Sequence, residues 1–159
     1  LNMITEIEKN KKDLFMKTYT VLANNFHRIF SELNHKAEAS FILENQEDPL
    51  GGGVDIEVKL AKNKIMDIKS LSGGEKTMAT LSFIFAIQEY APSGFYLFDE
   101  IDAALDKKNS EVLSQLIRKY ASDAQYIIIS HNDTLITEAD QIYGVSMQDG
   151  ISKVVSLKV

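Results

Sequence analysis

Phe95-Tyr96-Leu97-Phe98-Asp99-Glu100-Ile101-Asp102-Ala103-Ala104-Leu105-Asp106 decides the fold class of this chain. A short apolar run that ends in adjacent acids suits a buried strand leading into a polar turn. Downstream, Val112, Leu113, Leu116 and Ile117 recur at helical spacing, which predicts a helix from about Lys108 to Tyr120 with Asp106 as its N-cap. A second apolar strand is expected from Gln125 to Ile129. Upstream, a helix is expected from about Gly74 to Tyr90, opening on Leu71-Ser72-Gly73-Gly74-Glu75-Lys76. Helices alternating with buried apolar strands predict an α/β fold with a largely parallel sheet flanked by helices. Gln141–Met147 and Lys153–Leu157 complete it as a terminal β-hairpin around Asp149-Gly150.

Toward the N-terminus, Ile4, Ile7, Leu14 and Val21 follow a coiled-coil spacing whose intervening seam positions are Lys11 and Thr18. The apolar positions then become denser at Leu22, Phe26, Ile29, Phe30 and Leu33. This predicts a helix that continues from a two-stranded coil over residues 1–33 and enters a globular lobe over residues 34–159. Leucine at position 1 agrees with a fragment. Between Lys36 and Leu60 the period is two, predicting two antiparallel strands. The loop between them contains Gly51-Gly52-Gly53, read as a flexible connection because neither a lysine nor a helix follows to make a phosphate cradle.

The 159 residues suit one domain, and 17 basic against 23 acidic side chains give a net charge of −6. Binding nucleic acid by bulk charge is disfavoured, so any DNA contact is expected to be local or shared with other chains. The absence of cysteine excludes disulfide frameworks, thiolate zinc sites and cysteine nucleophiles. No apolar run is long enough to cross a bilayer, and the first residues lack a signal-peptide layout. A soluble cytoplasmic protein without a membrane partner is expected.

Four features carry chemistry. Ser72, Gly73 and Gly74 stand at a helix start, where unpaired N–H groups and the helix dipole favour an anion, although a Ser72–Glu75 capping box needs no ligand. Asp99 and Glu100 end a strand where P-loop NTPases place a Mg²⁺-holding Asp and a water-activating Glu. Asp106 closes the loop of Ala103, Ala104 and Leu105, and a plain N-cap explains it equally. His131 follows Ser130 at the exit of the second apolar strand, where an imidazole can bond a phosphate or a water. His27 and His35 share no metal-ligand spacing with it.

Singly each feature has a bland explanation, but together they follow the order of the C-terminal half of an ABC-type P-loop ATPase head. LSGGEK resembles the ABC signature motif, FYLFDE the Walker B strand, AALD the D-loop and His131 the switch histidine of the H-loop. The wording FYLFDEIDAALD, with FIFAIQ, EDPLGGGVDIEV and ADQIYGVSM, resembles the SMC (structural maintenance of chromosomes) proteins over nearly the whole chain, with an archaeal or bacterial flavour. Ser130-His131-Asn132 departs from many SMC sequences at the switch position. No lysine follows a glycine, so the Walker A pattern is absent from this sequence.

The resemblance implies that an SMC N-terminal head lobe supplies the Walker A loop on a separate polypeptide, and that this fragment alone is inactive. Asp99 is then expected to hold Mg²⁺, Glu100 to act as general base and His131 to touch the γ-phosphate of ATP. Ser72, Gly73, Gly74, Glu75 and Lys76 are expected to reach ATP held by a second SMC head, with Ala103, Ala104, Leu105 and Asp106 joining the two sites. The implied partners also include the winged-helix domain of a kleisin and, indirectly, DNA. The implied outcome is head engagement for chromosome condensation and segregation, in the cytoplasm at the nucleoid. Two alternatives remain at this point: a non-catalytic kleisin-binding platform, or the head of an SMC-like DNA-repair ATPase.

Overall fold

The computed structural model describes residues 2–60 and 64–158, and its chain divides into two compact units between Ser93 and Gly94. In the first unit, helix α1 (Asn2–Leu33) leads to strands β1 (Ala37–Leu43), β2 (Val54–Leu60) and β3 (Lys64–Asp67). A 3-10 turn (Ile68–Ser70) then leads to helix α2 (Gly73–Tyr90). The three strands form one antiparallel sheet in the order β1-β2-β3. Alternation at Ala37, Ala39 and Phe41 puts these side chains inside and Glu38 and Ser40 outside.

The core of this unit is built from Phe26, Ile29, Phe30 and Leu33 of α1, Phe41 and Val58 of the sheet, and Met78, Leu81 and Phe85 of α2. Phe26 stacks on Phe41 with ring centroids 4.4 Å apart. Each such side chain contributes roughly 1.5–3 kcal/mol by leaving water. Polar ties add direction: the Tyr19 hydroxyl donates to the Phe41 carbonyl at 2.9 Å, and His27 Nδ1 meets the Ala39 carbonyl at 3.0 Å. Burial pushes the Tyr19 phenol above its ordinary pKa. Arg28 pairs with Glu89, clamping α1 to α2. The first half of α1 is different, with Ile4, Ile7 and Leu14 exposed.

The glycine triplet forms a tight loop. The Gly53 N–H donates to Glu44 Oε2 at 2.7 Å, and a Cβ at Gly51 would lie 2.3 Å from Asp48 Oδ2. Carboxylates at these positions repel phosphate, so the loop is no anion cradle.

The second unit runs β4 (Phe95–Asp99), α3 (Lys107–Tyr120), β5 (Gln125–Ile129), α4 (Asp133–Thr137), β6 (Gln141–Gln148) and β7 (Ile151–Lys158). Strands β4 and β5 are parallel and joined through α3, the connection that a parallel pair requires. Leu113, Leu116, Ile117 and Tyr120 form the buried stripe of α3. Tyr96, Phe98 and Tyr126 share one side of the parallel pair, with the two tyrosine rings stacked at 5.2 Å. The opposite side carries Phe95, Leu97, Ile127 and Ile129, all exposed. Among the described residues this face of the parallel pair stays exposed. Strands β6 and β7 form an antiparallel hairpin whose turn residues Asp149 and Gly150 have φ of 53° and 77°. These positive angles match a tight hairpin turn.

Among the described residues the parallel part of the fold is the β4–β5 pair, and the remaining strands pair antiparallel. Among the described residues no helix is long and apolar enough to cross a membrane.

Candidate functional site

In the first unit, Ser72 is the N-cap of α2, with extended backbone at φ −63° and ψ 162°. The capping box is formed: the Glu75 N–H donates to Ser72 Oγ at 3.4 Å, and Glu75 Oε2 accepts the Ser72 N–H at 2.9 Å and its hydroxyl at 2.7 Å. These bonds hold the Glu75 carboxyl below its ordinary pKa, the Ser72 side chain being the larger cause. Gly73 occupies the first helical position, and a Cβ there would meet no atom within 4 Å. The packing of this chain therefore does not require glycine at Gly73. Gly74, Glu75 and Lys76 complete the first turn of α2.

In the second unit, Asp99 ends β4, level with Ile129 of β5. Glu100 follows with φ 47°, a left-handed backbone that costs a non-glycine residue roughly 1–2 kcal/mol. Two bonds hold it there: its N–H donates to the Ile129 carbonyl at 2.9 Å, and its own carbonyl accepts the Ala103 N–H at 3.1 Å. The strand ladder thus extends one residue past Asp99 and turns sharply. This aims Glu100 away from the strand, and its Oε1 lies 3.6 Å from Nε2 of His131. That distance suits an ion pair and exceeds a tight hydrogen bond, leaving carboxylate lone pairs open to water. The His131 side chain is 90% exposed and that of Glu100 55%.

Behind this pair lies a polar chain that sequence reasoning did not assign. Asp102, 5% exposed, accepts the Ser130 hydroxyl at 2.7 Å. Ser130 Oγ accepts the Asn132 N–H at 2.9 Å, Asn132 Nδ2 donates to Ser110 Oγ at 2.9 Å, and Asn132 Oδ1 caps α4 through the Thr134 N–H at 3.0 Å. Asp102 and Ser130 flank the recognised residues, so adjacency was an available signal; for Ser110, inside α3, there was none. Asp106 caps α3 by accepting the Asn109 N–H at 2.8 Å, and Ala103, Ala104 and Leu105 form the turn before it.

Among the described residues no three His, Asp or Glu side chains gather as a metal cage. Magnesium is commonly held by one or two carboxylates plus phosphate oxygens. The exposed Asp99 carboxylate fits as one ligand of such a shared site and does not make a site alone.

Sequence and fold both have counterparts among known proteins. The family described as RecF/RecN/SMC N terminal domain matches residues 5–153. The chain belongs to that family. It is 47% identical over its full length to a chromosome partition protein Smc of Pyrococcus furiosus, of which it spans 14%. Its fold superposes with a TM-score of 0.92 and 48% identity on an Smc head domain with an extended coiled coil bound to the C-terminal domain of ScpA, from Pyrococcus furiosus. That match covers 99% of this chain and 39% of the other. A structure from work on ATP-driven dimerisation and DNA-stimulated activation of SMC ATPases matches with a TM-score of 0.85 and 45% identity, covering 92% of this chain and 89% of that one. The mixed α/β fold is that of SMC ATPase heads, and the chain spans a small part of the curated relatives it matches.

Proposed function

We propose that this chain is the C-terminal lobe of an SMC ATPase head that hydrolyses ATP once an N-terminal lobe supplies the Walker A loop and a second head closes the site. Residues 1–33 continue from the coiled coil, and residues 34–159 form the lobe. The observation that carries the reading is the placement of Glu100 and His131 at the carboxyl ends of two parallel strands, 3.6 Å apart, with Glu100 in a left-handed backbone. In open parallel sheets ligands bind beyond those strand ends. Glu100 takes the proton of the attacking water, and His131 bonds the γ-phosphate or that water. Asp99 would hold Mg²⁺, which when bound would supply charge neutralisation on the phosphate oxygens. Ser72 and the amides of Gly73 and Gly74 approach the γ-phosphate held by the opposite head, with Glu75 and Lys76 in the same turn. Ala103, Ala104, Leu105 and Asp106 join the two sites.

Hydrolysis then releases an interface that ATP had bridged, in the service of chromosome partition. Similar Smc heads bound to the C-terminal winged-helix domain of ScpA support a kleisin winged-helix domain as a further partner. DNA is then engaged through the whole complex, in the cytoplasm.

Glu100→Gln in the full-length protein is expected to cut ATP turnover roughly 10²–10⁴-fold while ATP-dependent head pairing persists. Phosphate release and analytical ultracentrifugation read the two effects, and normal turnover would reject the assignment. Ser72→Arg is expected to abolish pairing in the same ultracentrifugation experiment, and unchanged dimerisation would remove the signature-loop role.

A further inference from the structure

We infer that Asp102 and Ser130 form a positioning link that sets the Glu100–His131 geometry, making them functional residues for ATP turnover; this rests on the roles proposed for Glu100 and His131. His131 is almost fully exposed, so packing does not aim it. Its backbone neighbours do. Ser130 is held by the Asp102 carboxylate at 2.7 Å and holds the Asn132 N–H at 2.9 Å, while Asn132 is tied at both ends of its amide to Ser110 and to Thr134.

Asp102 lies two residues after Glu100 in the same turn, closed by the Ala103 N–H to Glu100 carbonyl bond and the Leu105 N–H to Asp102 carbonyl bond. One buried carboxylate therefore bolts the turn that carries Glu100 to the loop that carries His131. A polar group buried this deeply needs a hydrogen-bond partner, and Asp102 finds one in the Ser130 hydroxyl, on the loop that carries His131. Asp102 and Ser130 are positioning residues, acting through Glu100 and His131.

The test uses ATP hydrolysis by the full-length protein. Ser130→Ala and Asp102→Ala are each expected to lower kcat roughly 10- to 100-fold, the scale of a small misplacement of a reacting group, with KM for ATP within about twofold of the parent. ATP-dependent dimerisation persists in both. The double variant is no slower than the slower single one, because both changes cut the same link. Ser130→Thr keeps the hydroxyl and recovers most of the rate that Ser130→Ala loses. Glu100→Gln runs alongside: were it to turn over normally, the underlying assignment would fall and the link with it. An inactive Glu100→Gln beside Ser130→Ala and Asp102→Ala at parental rates overturns the link alone. Multiplying losses in the double variant, or a raised KM at unchanged kcat, also overturn it. If circular dichroism shows that Asp102→Ala does not fold, Ser130→Ala, which deletes a single hydroxyl, decides.

Discussion

Both units bury an apolar core, and they differ in how much of their strands it covers. In the first, Phe26, Ile29, Phe30 and Phe85 are completely buried around a three-stranded sheet. In the second, Leu97 is 62% exposed and Val145 70%, although both sit in regular strands. Burial in the first unit is satisfied by its own helices and sheet. The second shows strand faces as apolar as a core yet exposed among the described residues.

The largest expected effect that tests this contrast is on stability. Phe26→Ala should cost about 3–5 kcal/mol in denaturant unfolding of the first unit, because it leaves a cavity against Phe30 and Phe41. Leu97→Ala should stay within about 1 kcal/mol, its side chain having little burial to lose. Equal losses would break the comparison. Next, amide exchange should be slowest in α2 and β2 and fast in the hairpin β6–β7, whose strands pair only with each other among the described residues. Asp106→Ala should remove the cap of α3 at a cost of about 1 kcal/mol in thermal unfolding, which sharpens how much of the second unit rests on local bonds.

The smallest effect is a titration. Folding depresses the Glu75 pKa below 4.5, so its contribution to stability is present above that value and is lost as pH falls through the lower folded one. A carbon-detected NMR titration should show the depression, and Ser72→Ala should return Glu75 toward its ordinary value.

Much of this architecture was legible in residue order. The run Phe95–Phe98 with Asp99 and Glu100, the spacing of α3 and the Asp149-Gly150 turn each carry a strong local signal, and the corresponding elements form. Strand β3 did not announce itself, since four residues are too few to show a period, and α4 is only five residues long. Of the candidate residues, Asp99, Glu100 and His131 stand at the strand ends expected for them, and only their order with the Ser72 and Asp106 loops singled them out. Their supporting chain was not legible, because Ser110 and Asn132 are joined across 22 residues by a side-chain bond that no spacing rule encodes. Exposed apolar surface follows from a missing lobe, but its place on β4 and β5 was hidden: an apolar strand reads the same whether its cover belongs to its own chain or to another.

The backbone bond from Glu100 to Ile129 has a mechanical meaning. It fastens the Glu100 backbone to the neighbouring strand at Ile129, two residues ahead of His131, so the register of β4 against β5 sets which residues stand level with one another. Slipping by one residue would move a strand about 3.3 Å and would also turn its side chains to the opposite face. The 3.6 Å meeting of Glu100 and His131 therefore depends on this one register being kept.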